Sequence, residues 1–205
     1  MKKFLVINII LIFTLGILSS KATPVFIEKI DLKIKGKELA IVFLPFKECK
    51  SFLLVTKREN ILINLIKPNS KKIYKYLKQF NVNKLDNIYN VKELSFGLVS
   101  EQSQINIINE KNLLIINYLT HNFCIYQSNN KRNFKECDYI YLLSSNHNVQ
   151  IDNDQQLILY SKLNKKFLEK IYDRYNDSYY IDPNNYTIIK LNQQSYQIID
   201  VPYKN

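Results

Sequence analysis

The chain has 205 residues, 46% of them hydrophobic, and carries 29 Lys and Arg against 18 Asp and Glu, a formal net charge of +11. That length favours one domain with room for a proper core. Only three glycines are present, which argues against glycine-rich loops that cradle phosphates or wrap metals.

The N-terminus reads as a targeting signal. Lys2 and Lys3 precede an apolar run, Phe4–Leu18, interrupted only by Asn8, Thr14 and Gly16, and Ser20-Lys21-Ala22 supplies small residues for a peptidase. Residues 1–22 are therefore expected to be a secretory signal peptide cut after Ala22, with retention as an N-terminal anchor as the alternative. The run is short for a membrane span of about 20 residues. No cysteine sits near the cleavage point, which argues against a lipoprotein. Cleavage removes Lys2, Lys3 and Lys21 and no acid, leaving +8. Such an excess attracts nucleic acid, anionic lipid or an acidic cell-wall polymer, or serves solubility alone. Export permits a disulfide. Cys124 and Cys137 flank a polar turn, Ser128–Arg132, so they can pair and leave Cys49 over. Three free buried thiols are the other reading.

The predicted elements follow in order. Thr23–Ile34 alternates apolar and charged residues, as a half-exposed strand or hairpin arm does, with Lys35-Gly36-Lys37 as its turn. Leu39–Leu44 continues as a strand to Pro45. Phe52–Thr56 and Ile61–Ile66 form a hairpin across Lys57–Asn60. Their unbroken apolar character predicts strands buried on both faces, at the centre of a layered sheet. Pro68-Asn69-Ser70 starts a helix over Ser70–Phe80. Its apolar side is Ile73, Tyr76, Leu77 and Phe80; Lys71, Lys72, Lys75 and Lys78 take the other. Asp86–Val91 is a short strand, and Lys92–Glu110 is weakly patterned. Asn112–Tyr118 and Phe123–Gln127 pair as a hairpin. Asp138–Leu143 and Leu157–Ser161 are strands, and Asn164–Tyr175 is a second amphipathic helix. Ser178–Ile181 and Tyr186–Leu191 close the sheet around Asp182–Asn185, and Tyr196–Ile199 adds an edge strand. Interspersed strands and helices predict an α/β or α+β layered fold over residues 23–205.

Particular stretches carry a resemblance. Phe43-Leu44-Pro45-Phe46-Lys47-Glu48-Cys49-Lys50, then Ser51-Phe52-Leu53-Leu54, stand where one family has F-L-D-V-G-Q-G-D and S-I-L-I. Ile61-Leu62-Ile63-Asn64-Leu65-Ile66 matches its I-L-I-D-T-G strand, and Tyr76–Asp86 matches Y-L-K-x-x-G-I-x-K-L-D. Asn109–Ile116, Cys124–Gln127 and Cys137–Leu142 then follow its later strands in order, and Tyr179–Ile189 its closing one. Over Ala40–Leu191 the chain thus resembles the metallo-β-lactamase fold, most closely the exported domain of the ComEC competence family. The resemblance implies a layered sandwich with two main helices, and a link to DNA uptake.

The departures fall on the chemistry. The fold's two-metal site uses an H-x-H-x-D-H loop and later His and Asp ligands to activate water. Here the corresponding loop is Lys92–Gly97, without histidine; the Asp position is Gln127 and the paired histidines are Ser144-Ser145. The chain's two histidines, His121 and His147, do not supply three or four convergent ligands. A triad from Ser144, His147 and Asp152 or Asp154 crowds one polar loop, whereas triads are assembled across a fold. Cys49, beside Lys47 and Lys50, has no histidine near it in sequence.

The expectation is a non-catalytic exported protein, periplasmic or attached to the envelope, with no metal and no cofactor. Its partner is an envelope protein, and membrane contact comes only through residues 4–18 if uncleaved. The alternative is nucleic-acid binding outside the cytoplasm, through Lys71, Lys72, Tyr74, Lys75 and Lys78, since lysines contact phosphates and a tyrosine face stacks on bases. A residual hydrolase predicts metal-dependent turnover of a phosphodiester.

Overall fold

Strand β1, Leu39–Phe43, is wholly buried because its neighbours cover both of its faces. Leu39, Ile41 and Phe43 face one apolar layer, and Ala40, Val42 and Leu44 face another. Strands β2, Ser51–Val55, and β3, Asn60–Asn64, repeat this division. The unbroken apolar runs of the sequence thus lie at the centre of a layered structure. The computed structural model describes residues 29–45, 50–65, 70–90, 104–110, 113–126, 134, 136–143, 157–161 and 178–203. The predicted helix Asn164–Tyr175 and residues 1–22, expected to be a signal peptide, lie outside these residues.

Among the described residues the remaining elements are helix α1, Ser70–Gln79, and nine further strands: β4 Asn87–Asn90, β5 Ile105–Glu110, β6 Leu113–Tyr118, β7 His121–Tyr126, β8 Tyr139–Leu142, β9 Leu157–Tyr160, β10 Ser178–Tyr180, β11 Asn185–Leu191 and β12 Tyr196–Pro202. They form two mixed six-stranded sheets, in the orders β12-β11-β1-β2-β3-β4 and β10-β9-β8-β7-β6-β5. The first sheet is parallel only at β3–β4; the second is parallel from β7 through β10. The fold is therefore mixed α and β.

Three apolar layers follow from side-chain alternation. The largest lies between the sheets, where Phe43 meets Phe52, Phe123 and Tyr141 at ring-centroid distances of 5.9, 6.2 and 4.9 Å. A second lies between the first sheet and α1, built from Val42, Leu53, Leu62 and Ile188 against Ile73, Tyr76 and Phe80. The third covers the outer face of the second sheet with Phe134 and Cys137 over Cys124, Tyr126, Ile140 and Leu142.

Local chemistry explains several element ends. Thr56, expected inside a strand, belongs to the turn, because its hydroxyl accepts from the N–H groups of Arg58 (3.2 Å) and Glu59 (3.0 Å). Helix α1 stops where Asn81 takes a left-handed φ of 56°. There Val82 N–H bonds Leu77 O at 2.9 Å and Asn81 N–H bonds Lys78 O at 3.2 Å, a Schellman closure. Asp86 then ties the crossover to β3: Asn60 N–H donates to its carboxylate at 2.9 Å. That bond is the main reason the carboxyl lies below its ordinary range, with Lys84 adding to it.

Three expectations are corrected. The described part of the first predicted arm, residues 29–34, is not a strand. Asp31 accepts from Lys33 N–H at 3.0 Å, and Lys33 adopts a φ of 47°, which breaks the extension. The weakly patterned stretch contains β5, whose Ile105 and Ile107 enter the inter-sheet core. Ser178–Ile181 and Tyr186–Leu191 do not share a sheet. The chain crosses from the second sheet to the first at Asp182, whose carboxylate accepts from Asn184 N–H (2.8 Å) and Asn185 Nδ2 (3.2 Å).

The layers bury several phenols. Burial, then Asp138 and Tyr196, pushes the Tyr139 hydroxyl up to about 12. Burial, then its bond to Asp200, pushes Tyr179 up to about 12. Tyr186, which donates to buried Gln79 Oε1, is raised by burial first and by Tyr76 and Tyr203 next. The folded chain holds these protons more tightly than an unfolded chain, whose tyrosines ionise near pH 10. Their stabilisation is complete below about pH 10 and is lost as pH climbs toward 12. The urea midpoint should hold steady to about pH 9 and then fall, with part of the tyrosinate absorbance appearing only on unfolding. A midpoint unchanged up to about pH 11 would contradict this burial.

Candidate functional site

Helix α1 has the sequence SKKIYKYLKQ, with four lysines and no acid. Spacing of 3.6 residues per turn puts Lys71, Tyr74, Lys75 and Lys78 in one stripe, with Lys72 further round. Ile73 and Tyr76 are buried against the first sheet, so this stripe faces outward. Lys71, Lys72 and Lys78 are exposed, Lys75 is half-exposed, and Tyr74 is 61% exposed. Two of the four lysines stand over rings. Lys78 Nζ lies 4.6 Å from the centroid of Tyr74, and Lys75 Nζ lies 5.3 Å from that of Tyr203.

Tyr203 was not legible as part of this face. It follows β12 and closes an aromatic cluster under α1, with its centroid 5.4 Å from Tyr76 and 5.5 Å from Tyr186. Tyr76 OH donates to Pro45 O at 2.8 Å, fixing the helix to the end of β1. The lysine stripe thus sits on a seated helix. Lys71 and Lys72 occupy the first turn, where the helix dipole disfavours cations. Two cations at the positive pole are a local cost that a bound polyanion would offset.

Ser51 and Asn64 are paired across β2–β3 and both are buried. Asn64 shows in the sequence as a lone polar residue within an apolar run, whereas Ser51, next to Lys50, borders one.

The other candidates do not converge. Cys124 and Cys137 are joined in a buried disulfide, with Cα atoms 5.8 Å apart. His121 Nε2 is paired with Asn192 O, and its ring stands edge-on to Tyr139. Cys49, Gln127, Ser144, Ser145, His147 and Lys92–Gly97 lie outside the described residues, as does the apolar segment 4–18. Among the described residues, no group of three or more His, Cys, Asp or Glu could hold a metal. Among them, no helix is long and apolar enough to cross a membrane. In comparisons with known proteins, no family model, curated protein or solved structure matches the chain.

Proposed function

We propose that the protein is an exported, non-catalytic binding module of the cell envelope, built on a reduced metallo-β-lactamase-like scaffold. The observation that carries this reading is the outward face of α1: four lysines without an acid, on a helix anchored by its buried side. Two mixed sheets facing one another, with a helix outside the first, support the scaffold. The buried Cys124–Cys137 disulfide supports export, because such bonds persist in oxidising compartments. Loss of the family's metal ligands at Gln127, Ser144 and Ser145 supports binding over hydrolysis.

A second reading is favoured by Tyr74. An exposed ring beside Lys78 suits a nucleic-acid strand, whose phosphates meet lysines and whose bases stack on aromatic faces. Anisotropy with labelled single- and double-stranded DNA tests both readings. Binding that falls steeply with salt, and about tenfold weaker binding by Lys71→Glu with Lys75→Glu, is the nucleic-acid outcome. Affinity unchanged by that double substitution would remove this face as the site. No binding even at low salt would leave an envelope protein as the partner.

A further inference from the structure

Two stretches of chain on the outer face of the first sheet are basic. Helix α1 is one. The other is residues 29–38, which lead into β1. Ile30 N–H bonds Gln79 O at 2.7 Å and ties this stretch to the C-terminal end of the helix. Leu32 is buried in the same layer as Ile73, Tyr76 and Phe80, with Ile30 and Ile34 packed against that layer. With these apolar residues seated, Lys29, Lys33, Lys35 and Lys37 are exposed.

Together residues 29–38 and α1 hold eight lysines against two acids, Asp31 and Glu38. They carry a net six of the eight positive charges expected after cleavage. In the sequence these lysines lie in two stretches far apart, and the fold gathers them on one side. Charge that serves only solubility works as well when both signs are interspersed over the surface, so this segregation points to an anionic partner.

Two observations favour a lipid surface. Tyr76, Phe80 and Tyr186 of this layer are buried, and Tyr74 alone is largely exposed. A strand of bases uses several stacking faces, whereas a headgroup plane needs none and accepts an amphipathic ring at its boundary. Secondly, only residues 19–29 separate Ile30 from the apolar run that ends at Leu18. At about 3.5 Å per residue they reach no farther than about 40 Å. A run retained in the membrane would hold the basic layer close to the headgroups, where clustered lysines supply the second signal that stable attachment takes.

We propose that residues 29–38 and the lysine face of α1 form one docking surface for a membrane rich in anionic phospholipid. It rests on the envelope reading above and names lipid as the partner there. Each lysine brought to such a surface adds to the attraction, and salt screens it. The contact is additional to any made by residues 4–18.

Co-sedimentation of the exported protein with vesicles tests it, comparing phosphatidylcholine alone with vesicles of about one third phosphatidylglycerol. The anionic vesicles should bind at least about tenfold more tightly, and the excess should disappear near 1 M salt. A retained apolar run raises both affinities alike, so the ratio reports the basic layer. Lys29→Gln with Lys35→Gln removes two charges outside α1 and should lower anionic binding about tenfold. Asn106→Glu with Thr120→Glu makes the same change in net charge at exposed positions of the second sheet and should leave binding nearly unchanged. Equal binding to both vesicles, or equal losses in the two variants, would overturn the proposal and leave the envelope reading standing. Binding of a DNA duplex without preference for anionic vesicles would overturn it in favour of nucleic acid. Preference for anionic vesicles by a protein that cells retain in the cytoplasm would support the lipid surface and overturn the envelope reading instead.

Discussion

Phe43→Ala should lower the unfolding free energy by about 3–5 kcal/mol, the range for emptying a buried aromatic position. Phe43 is fully buried in the central strand of the first sheet and touches three rings from both sheets: Phe52, Phe123 and Tyr141. Those rings sit on strands fixed by ladder hydrogen bonds on both sides, so they cannot collapse far into the space vacated. Edge-to-face packing on Tyr141, centroid distance 4.9 Å, is lost besides. Phe43→Leu should cost less, because it keeps most of the volume. Ile88→Ala is the internal control: Ile88 is 57% exposed on edge strand β4, and its truncation should fall within about 0.5 kcal/mol of zero. Urea unfolding of the three variants decides the matter. If Phe43→Ala and Ile88→Ala cost the same, the two sheets do not meet at Phe43.

What the sequence made legible follows the same physics. Strands β1 to β3 stood out because burial on both faces leaves them no polar alternation to hide in. Helix α1 stood out because Ile73, Tyr76, Leu77 and Phe80 recur at its period. Strand β5 did not, although Ile105 and Ile107 alternate correctly, because in a chain this rich in asparagine the intervening polar residues look like loop. The start of β7 was missed for a conformational reason: Leu119 holds a left-handed φ of 55° and permits a tight turn where no Gly, Asn or Asp announces one. No local signal shows that β10 and β11 belong to different sheets, since that depends on which edge each meets. The site divides likewise. Spacing alone put Lys71, Lys75 and Lys78 on one face, but pairing Lys75 with Tyr203 required the end of the chain to fold back beside the helix. The burial of Ser51 and Asn64 depends on how β2, β3 and β4 pair, which no local sequence feature sets.

Removing the Cys124–Cys137 bridge should cost about 3 kcal/mol, the chain-entropy value for a loop near the 13 residues that it closes. The bond stands at a demanding place in the fold. Strands β7 and β8 are parallel neighbours, so the chain must return the length of β7 before pairing. The return is fixed at its end: Asp138 N–H bonds Asn122 O at 3.0 Å, and Asn122 N–H bonds the Asp138 carboxylate at 2.7 Å. Asn122 Nδ2 also donates to Glu136 O at 2.7 Å. The bridge holds Cys137 beside β7 and so shortens the search for this register in the unfolded chain. Both sulfurs are buried with Tyr126, Phe134, Ile140 and Leu142, so reduction also leaves two thiols in an apolar layer. Urea midpoints with and without reductant, and for Cys124→Ala with Cys137→Ala, measure the loss. Alkylation of the denatured protein should tag one cysteine before reduction and all three after it. The same measurement bears on the compartment. A chain that draws about 3 kcal/mol from a disulfide loses a large part of a typical domain's margin in a reducing cytoplasm. Three reactive thiols in the native protein, with a midpoint indifferent to reductant, would remove the bridge and with it the structural support for export.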